Sequence, residues 1–343
     1  MYEKGEILLT GFKFPHHSTS SGYHHLASYI NGEYLDANKI LFGSIPMESK
    51  ARLLNFLCFE FFLKFKVNKY NVVHYLYPEQ HLLFSVPEGK DKIISIATIH
   101  LDEQWLDRNI KSNKKFINTR RNAYEQLDGI ICLSNDQALR LKKIYPKKNI
   151  KFIPHGINKL GSYAKCDINR DIFYITVVGS NYRDKQVLFN IIKLSEKLFP
   201  NWKFNFIGVS KEWKKEASNF SNIIIHPFLS EIQYFEIMQA SHVHLLPVEF
   251  ATANNALLEA HALGVPSLTS SCLGILDYSI KSTSHFTDEQ EAIAILESIY
   301  NMSNTDYLSL REDTKNEAEK FEWTQISKEV LQFYHEVEKN KHK

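Results

Sequence analysis

The chain has 343 residues, 44% of them hydrophobic and 23% charged, the balance of a soluble globular protein long enough for two domains of about 150 to 170 residues. Four scattered cysteines with no CxxC spacing exclude a disulfide framework and a cysteine-based zinc site, and predict a reducing, cytoplasmic setting. Residues 1–158 carry 22 basic against 15 acidic side chains and the remainder 19 against 24, so the first half either faces an anionic surface or carries ordinary solvated charge. Residues 1–5 are polar and the apolar run 7–9 is only a strand long, so no signal peptide is expected.

Residues 7–12 read as a short strand. The polar stretch after it ends at Ser21 and Gly22, and a helix from Tyr23 turns Leu26, Ala27 and Ile30 inward. Strand, Ser/Gly loop and helix form a phosphate-cradle layout, because glycine lets the backbone approach an anion and hydroxyls donate to it. A plain strand-to-helix turn fits the same residues. His16, His17, His24 and His25 have no acidic or cysteine companion, so they read as loop and helix histidines and no metal is expected there.

Residues 52–67 are apolar on nearly every face yet carry Arg52, Glu60, Lys64 and Lys66, too short and too charged to span a bilayer. Two readings stand: a helix buried against a sheet, or an interfacial helix whose Phe56, Phe59, Phe61, Phe62 and Phe65 touch lipid. Basic clusters at Lys111, Lys114, Lys115, Arg120 and Arg121, and from Arg140 to Lys151, keep peripheral membrane contact or an anionic lipid-linked acceptor open. Strands follow at 71–76 and 92–99. The second, KIISIATI, is apolar as a parallel core strand should be and delivers His100, Asp102 and Glu103 to its carboxyl end. A histidine directly after a core strand is poorly explained by packing; Asp102 or Glu103 could act as the base of an inverting enzyme. Strands at 127–133 and 150–153 come next, the latter ending in Pro154-His155-Gly156-Ile157-Asn158, and the polar stretch 159–171 reads as an interdomain linker.

The second half opens with a strand at 173–178, the turn Gly179-Ser180-Asn181-Tyr182-Arg183-Asp184-Lys185, and a helix with Val187, Leu188, Ile191, Ile192 and Leu194 apolar. Strands at 203–208 and 223–227 precede Phe228 and Leu229, and Ser230 suits the N-cap of a helix over 231–239. The strand at 243–248 runs into a polar loop over 249–255. A helix follows with Ala256, Leu257, Ala260 and Leu263 at helical spacing, stopped by Gly264 and Pro266, and then a strand at 265–269. That loop lies at the carboxyl end of a strand and at a helix N-terminus, where α/β sheets bind ligands and free amides favour phosphate. Glu259, one turn into the helix, is placed to accept from a ribose. Helices at 289–302, 308–320 and from Trp323 to Val337 close the chain.

Glu259-Ala260-His261-Ala262-Leu263-Gly264-Val265-Pro266 resembles the donor-binding segment of GT-B glycosyltransferases, particularly the retaining family 4 type, in which a Glu precedes an Ala-x-Ala-x-Gly-x-Pro tail. Eight positions before Glu259, where that family has a first carboxylate on the donor sugar, stands Ala251; Glu249 is the nearest upstream acid. Gly179 to Lys185 resembles the family's Gly-to-Lys-Gly loop with Gln186 in place of the last Gly, and Pro154 to Asn158 resembles its hinge.

The resemblance implies an α/β GT-B fold: two Rossmann-like domains with parallel sheets facing across a cleft. Residues 1–158 form the acceptor-side domain, 159–171 a linker, 172–322 the nucleotide-sugar domain and 323–343 a helix returning toward the first. It implies metal-independent transfer of a hexosyl group from a nucleotide-diphosphate sugar, UDP favoured over GDP, to a hydroxyl of a glycan or lipid-linked acceptor. The setting is surface polysaccharide synthesis in the cytoplasm, at the inner face of the membrane, with retention of configuration. Ser21, Gly22, Gly179, Ser180, Arg183, Lys185, Thr252, Asn254 and Asn255 are expected around the donor diphosphate, Phe228 and Leu229 at the base, and Glu259 at the ribose. His100 and Glu249 are the candidate catalytic residues. No cofactor is expected, because the nucleotide sugar is a co-substrate and the two cations supply positive charge; no nucleic-acid partner is expected either. Two other readings remain: a nucleotide-sugar 2-epimerase, and a catalytically silent binding subunit, which the Ala251 departure motivates.

Overall fold

The structure, a computed structural model, describes residues 5–12, 22–37, 51–87, 92–101, 114–167 and 170–342. Ser21, His16, His17, Asp102, Glu103 and Lys111 lie outside the described residues. The chain divides into two units, one of residues 1–17, 21–156 and 323–343, the other of 18–20 and 157–322.

Six parallel strands form the sheet of the first unit: β1 Ile7–Gly11, β2 Glu33–Asp36, β3 Val72–Tyr75, β4 Ile94–Ile99, β5 Gly129–Cys132 and β6 Asn149–Phe152. Their order is β2-β1-β3-β4-β5-β6, so the chain reverses direction of travel between β1 and β3. β1, β3, β4 and β5 are buried along their whole length, which is why they read as continuous apolar runs. The closing helix, Trp323–Lys341, packs on this sheet. A Cβ on Gly129 would lie 2.9 Å from the Val337 side chain, and one on Gly156 2.3 Å from the Trp323 ring, so the approach needs glycine at both places. The Tyr334 hydroxyl meets His74 Nδ1 at 2.7 Å, and Lys151 pairs with Glu336 at 3.0 Å.

The second unit repeats the plan with β7 Phe173–Val178, β8 Trp202–Ile207, β9 Ile223–Ile225, β10 Val243–Leu246, β11 Ser267–Ser270 and β12 Thr283–Phe286, all parallel, in the order β12-β11-β10-β7-β8-β9. Its core has two layers. Phe173, Trp202, Phe204, Ile191 and Leu296 lie in one, and Leu246, Leu257, Leu258, Met238 and Tyr278 in the other. Helices start on side-chain caps, Asp184, Ser210, Ser230, Asn254, Asp288 and Ser303 each accepting from an amide three residues on.

Of the polar stretch 159–171, residues 159–167 and 170–171 are packed within this unit. Leu160 is buried, the amides of Tyr163 and Ala164 donate to Gln239 Oε1 at 2.6 and 3.0 Å, and Arg170 binds the Tyr300 carbonyl at 3.1 Å. Two six-stranded parallel sheets with helices establish the expected α/β architecture of two Rossmann-like domains.

Candidate active site

In the second unit the strand order reverses between β7 and β10, the place where open α/β sheets bind ligands at strand carboxyl ends. Two loops leave there, and main-chain bonds join them. Arg183 and Val248 form an antiparallel bridge, the Asp184 amide donates to the Pro247 carbonyl, and the Glu249 amide donates to the Tyr182 carbonyl, both at 3.0 Å. Gly179 opens the first loop with φ +68°, and nothing lies within 4 Å of where its Cβ would be. The Ser180 hydroxyl accepts from the Ser210 amide at 3.1 Å, which ties the β7 loop to the β8 loop. On the other side a Cβ on Gly274 would meet the Ala251 carbonyl oxygen at 1.7 Å, so only glycine lets the 251–252 backbone settle there.

Arg183 is the electrostatic centre of this junction. Its Nη1 donates to the Asn181 carbonyl at 3.1 Å and its Nη2 to the Val178 carbonyl at 3.2 Å, while its Nε is buried without a partner. No carboxylate among the described residues pairs with it. Burial pulls its pKa down to about 10, the Tyr234 hydroxyl acting in the opposite direction. A half-buried cation whose Nε is out of water and which is answered only by carbonyl dipoles is electrostatically incomplete, and an anion would complete it.

Lys185 does not share that environment. It is the first residue of the Lys185–Leu198 helix, and its Nζ lies 2.6 Å from Glu212 and 2.7 Å from Glu216 on the Lys211–Ala217 helix. Those hydrogen bonds raise its pKa, Glu212 contributing most. Glu212 and Glu216 are four residues apart on one helix face, so both reach the same ammonium. The structure therefore places Arg183 at the loop junction and gives the Lys185 charge to a neighbouring helix.

Asn254 caps the Asn255–Ala262 helix, its side chain accepting from the Leu257 amide at 3.1 Å. The amides of Asn255 and Ala256, first in the helix, have no intrahelical acceptor. Thr252 is buried just before the cap, and Glu249 is exposed. Glu259 is buried on the first turns of the helix, where its Oε2 accepts from the Tyr234 hydroxyl at 2.6 Å. Burial first, and Glu259 second, push that hydroxyl's pKa well up. Phe228 stands 98% exposed beyond β9, with Leu229 half-buried beside it. His244, inside β10, is buried with Nε2 unpartnered; burial, then the charge of Arg183, bring its pKa down to about 3. Sequence reasoning passed over Tyr234 and His244. A histidine inside an apolar strand was the available signal for the second.

The first unit has its own carboxyl edge, lined with rings. After Gly22 (φ 114°), Tyr23 donates its amide to the Tyr77 hydroxyl at 3.1 Å, and its ring lies 5.3 Å from both His100 and His155 and 5.1 Å from Trp323. Tyr77 stacks on His100 with centroids 4.3 Å apart. His100 Nε2 meets the Leu76 carbonyl at 2.7 Å, and His155 Nδ1 the Gly156 carbonyl at 2.7 Å; a carbonyl only accepts, so the proton sits on Nε2 of His100 and on Nδ1 of His155. Burial above all lowers His100 to about 3 and His155 to about 4, so both are neutral imidazoles. Glu79, which the sequence did not mark, accepts from the His100 amide at 2.5 Å and the Leu101 amide at 2.9 Å through one oxygen.

Among the described residues no three His, Cys, Asp or Glu side chains are gathered as metal ligands, and no helix is long and apolar enough to cross a membrane.

Residues 171–302 match the family model described as glycosyl transferases group 1. No curated protein matches the chain in sequence. In fold it is similar to sucrose-phosphate synthase from Thermosynechococcus elongatus, at 15% identity over 96% of this chain and 88% of that one, with a TM-score of 0.66. The N-terminal domain of trehalose-6-phosphate phosphatase from Candida albicans gives 10% identity, 96% and 97% coverage and a TM-score of 0.71. The catalytic domain of starch synthase IV from Arabidopsis thaliana gives 14%, 85% and 78%, and 0.65. At such identities the likeness is one of fold.

Proposed function

We propose that this chain, which has the GT-B fold and matches the group 1 glycosyl transferase model over residues 171–302, is a glycosyltransferase that moves a hexosyl group from a nucleotide-diphosphate sugar, UDP-sugar ahead of GDP-sugar, to a hydroxyl of a glycan or lipid-linked acceptor. The transfer is metal-independent and retaining, and it serves surface polysaccharide synthesis on the cytoplasmic side of a membrane that the first unit contacts peripherally. The observation that carries the reading is Arg183: a half-buried guanidinium with a buried, orphaned Nε and no carboxylate partner among the described residues, at the strand-order reversal of the second sheet.

A diphosphate is the anion that fits. The forked guanidinium and the free amides at the start of the Asn255–Ala262 helix both donate to phosphate oxygens, and the helix dipole adds to them. Negative charge grows on the diphosphate as the glycosyl bond breaks, so donors fixed there stabilise the transition state more than the ground state. Gly179 and Ser180 let the backbone approach, Glu259 shares its carboxylate between Tyr234 and a ribose hydroxyl, and the exposed Phe228 edge is open to a base. Lys185 joins only by exchanging Glu212 and Glu216 for phosphate. In the first unit the neutral His100 suits hydrogen bonding to a sugar hydroxyl, not proton transfer at neutral pH.

Titration of UDP, GDP and their hexose conjugates by calorimetry tests this, followed by turnover with a hydroxyl acceptor panel. Binding of nucleoside diphosphates that weakens roughly tenfold or more in Arg183→Ala, together with turnover, supports the reading; no affinity for any nucleoside diphosphate removes it. A silent binding subunit is the second reading, favoured by Ala251 where the family has an acid and by the pairing of Lys185. Diphosphate binding without donor hydrolysis or transfer would select it.

A further inference from the structure

The Ala51–Lys66 helix has two apolar faces. One is inside the first unit: Phe56, Phe59 and Leu63 are buried, Asn55 Nδ2 donates to the Ala37 carbonyl at 2.6 Å, and the buried Glu60 accepts from the amides of Leu83, Phe84 and Ser85 at 3.0, 2.8 and 3.0 Å. These contacts fix the helix's rotation. On the other face Leu54, Leu57, Phe61, Phe62 and Phe65 are each between 38% and 65% exposed. Residues 54, 57, 61 and 65 recur at helical spacing and so share one stripe, with Phe62 beside it.

The charges that the helix and the turn after it add beside the stripe are lysines, with Glu33 of β2 the acid next to Lys66. Between residues 54 and 69 the only acid is Glu60, which is buried, while Lys64, Lys66 and Lys69 stand at the surface end. Lys66 pairs with Glu33 at 2.5 Å and lies 5.9 Å over the Phe62 ring. No carboxylate among the described residues pairs with Lys64 or Lys69.

We propose that this face rests on an anionic lipid surface, with Leu54, Leu57, Phe61, Phe62 and Phe65 entering the headgroup boundary and Lys64 and Lys69 meeting lipid phosphates. An aromatic and leucine stripe edged by lysine is the composition of a helix lying in the plane of an interface. A second copy of the chain fits less well. The bare apolar area is roughly 500 Å², taking about 200 Å² for a whole large side chain, against about 800 Å² per partner in a stable dimer. Two copies would also set lysines against lysines. The proposal rests on the membrane part of the function above and is independent of its chemistry.

Co-sedimentation of the full chain with phosphatidylcholine vesicles, with and without about one quarter phosphatidylglycerol, tests it, alongside UDP binding by calorimetry on the same variants. The expected result is binding to anionic vesicles at least tenfold tighter than to neutral ones, weakened several-fold by roughly 0.5 M salt. Phe61→Ser with Phe65→Ser should abolish it, while Lys64→Ser and Lys69→Ser should each cost about fivefold. Both phenylalanines are exposed, so the double variant should keep the melting temperature and UDP affinity of the parent. Three outcomes overturn the proposal: no vesicle binding by the parent, equal binding by the double variant, or a dimer that the double variant dissolves. Vesicle binding without affinity for UDP, GDP or any other nucleoside diphosphate would leave this surface standing and remove the donor reading.

Discussion

Glu79 holds the His100 backbone through a single buried oxygen, which also accepts from Leu101. Burial raises this carboxyl to about 7, the amide bonds and the nearby Arg120 charge opposing it. A carboxyl raised on folding stabilises the fold fully below its unfolded pKa, near 4.5, and loses that contribution as pH rises through 7. Relative to Glu79→Gln, which removes the titration and keeps an acceptor for both amides, the parent should lose about 2–3 kcal/mol between pH 5 and pH 8. Denaturant unfolding of the two proteins at both pH values measures the difference; a flat difference would mean the carboxylate stays ionised throughout. Glu79→Ala should cost more at every pH, about 1–3 kcal/mol for each amide left unanswered.

The histidines set the opposite slope on the acid side. Burial holds His74, His81, His100, His244 and His261 down to about 3, and His155 to about 4. A depressed base contributes stability present above its unfolded pKa, near 6.5, and lost as pH falls toward the folded value, by about 1.4 kcal/mol per unit for each such residue. His81 is the sharpest case: neither ring nitrogen has a partner of good geometry, and Phe12, Phe56, Phe59 and Tyr75 surround it. His81→Phe should raise the melting temperature at neutral pH and reduce the loss between pH 6.5 and 5. A variant melting lower than the parent at both pH values would show that the nitrogens are satisfied.

What the sequence made legible follows from burial. β3, β4 and β7 carry mostly β-branched or aromatic residues on both faces, and β8 carries Trp202, Phe204 and Phe206 in alternation with Lys203 and Asn205, so their runs announce them. β2 (EYLD) and β12 (TSHF) went unmarked because they are edge strands, whose pairing to β1 and β11 is a tertiary fact and whose side chains are partly in water. Arg183 was visible as a cation in a glycine turn. That Val248 would bridge to it and leave its Nε unanswered was not. Lys185 looked equivalent from spacing alone, since nothing in KEWKKEA says which neighbour its two glutamates will face. Glu79 and Tyr234 sit in unremarkable local sequence, and only the fold brings them to His100 and Glu259.

If Arg183 is held in reserve for an anion, removing its charge should not harm the empty protein. Arg183→Met keeps the aliphatic stem packed and deletes a cation that no carboxylate among the described residues answers. Its melting temperature should equal or exceed that of the parent, while nucleoside diphosphate affinity falls roughly 10- to 100-fold, the worth of a lost charge-assisted contact. Loss of stability with affinity unchanged would make Arg183 a structural tie for the Val178 and Asn181 carbonyls and nothing more.

Lys185 offers a contrasting case, because its ammonium already has Glu212 and Glu216. Binding that recruits Lys185 must break two short contacts, so the gain from its charge is offset by what it leaves. Lys185→Ala should therefore weaken nucleoside diphosphate binding less than Arg183→Met does. Neutralising its holders with Glu212→Gln and Glu216→Gln should strengthen binding by several-fold, since it frees the lysine and removes two like charges from the phosphate's surroundings. Calorimetric titration of UDP into the three variants ranks them. A double Gln variant that binds no tighter than the parent, with Lys185→Ala also unchanged, would show that Lys185 only ties the Lys185–Leu198 helix to the Lys211–Ala217 helix and takes no part with the ligand.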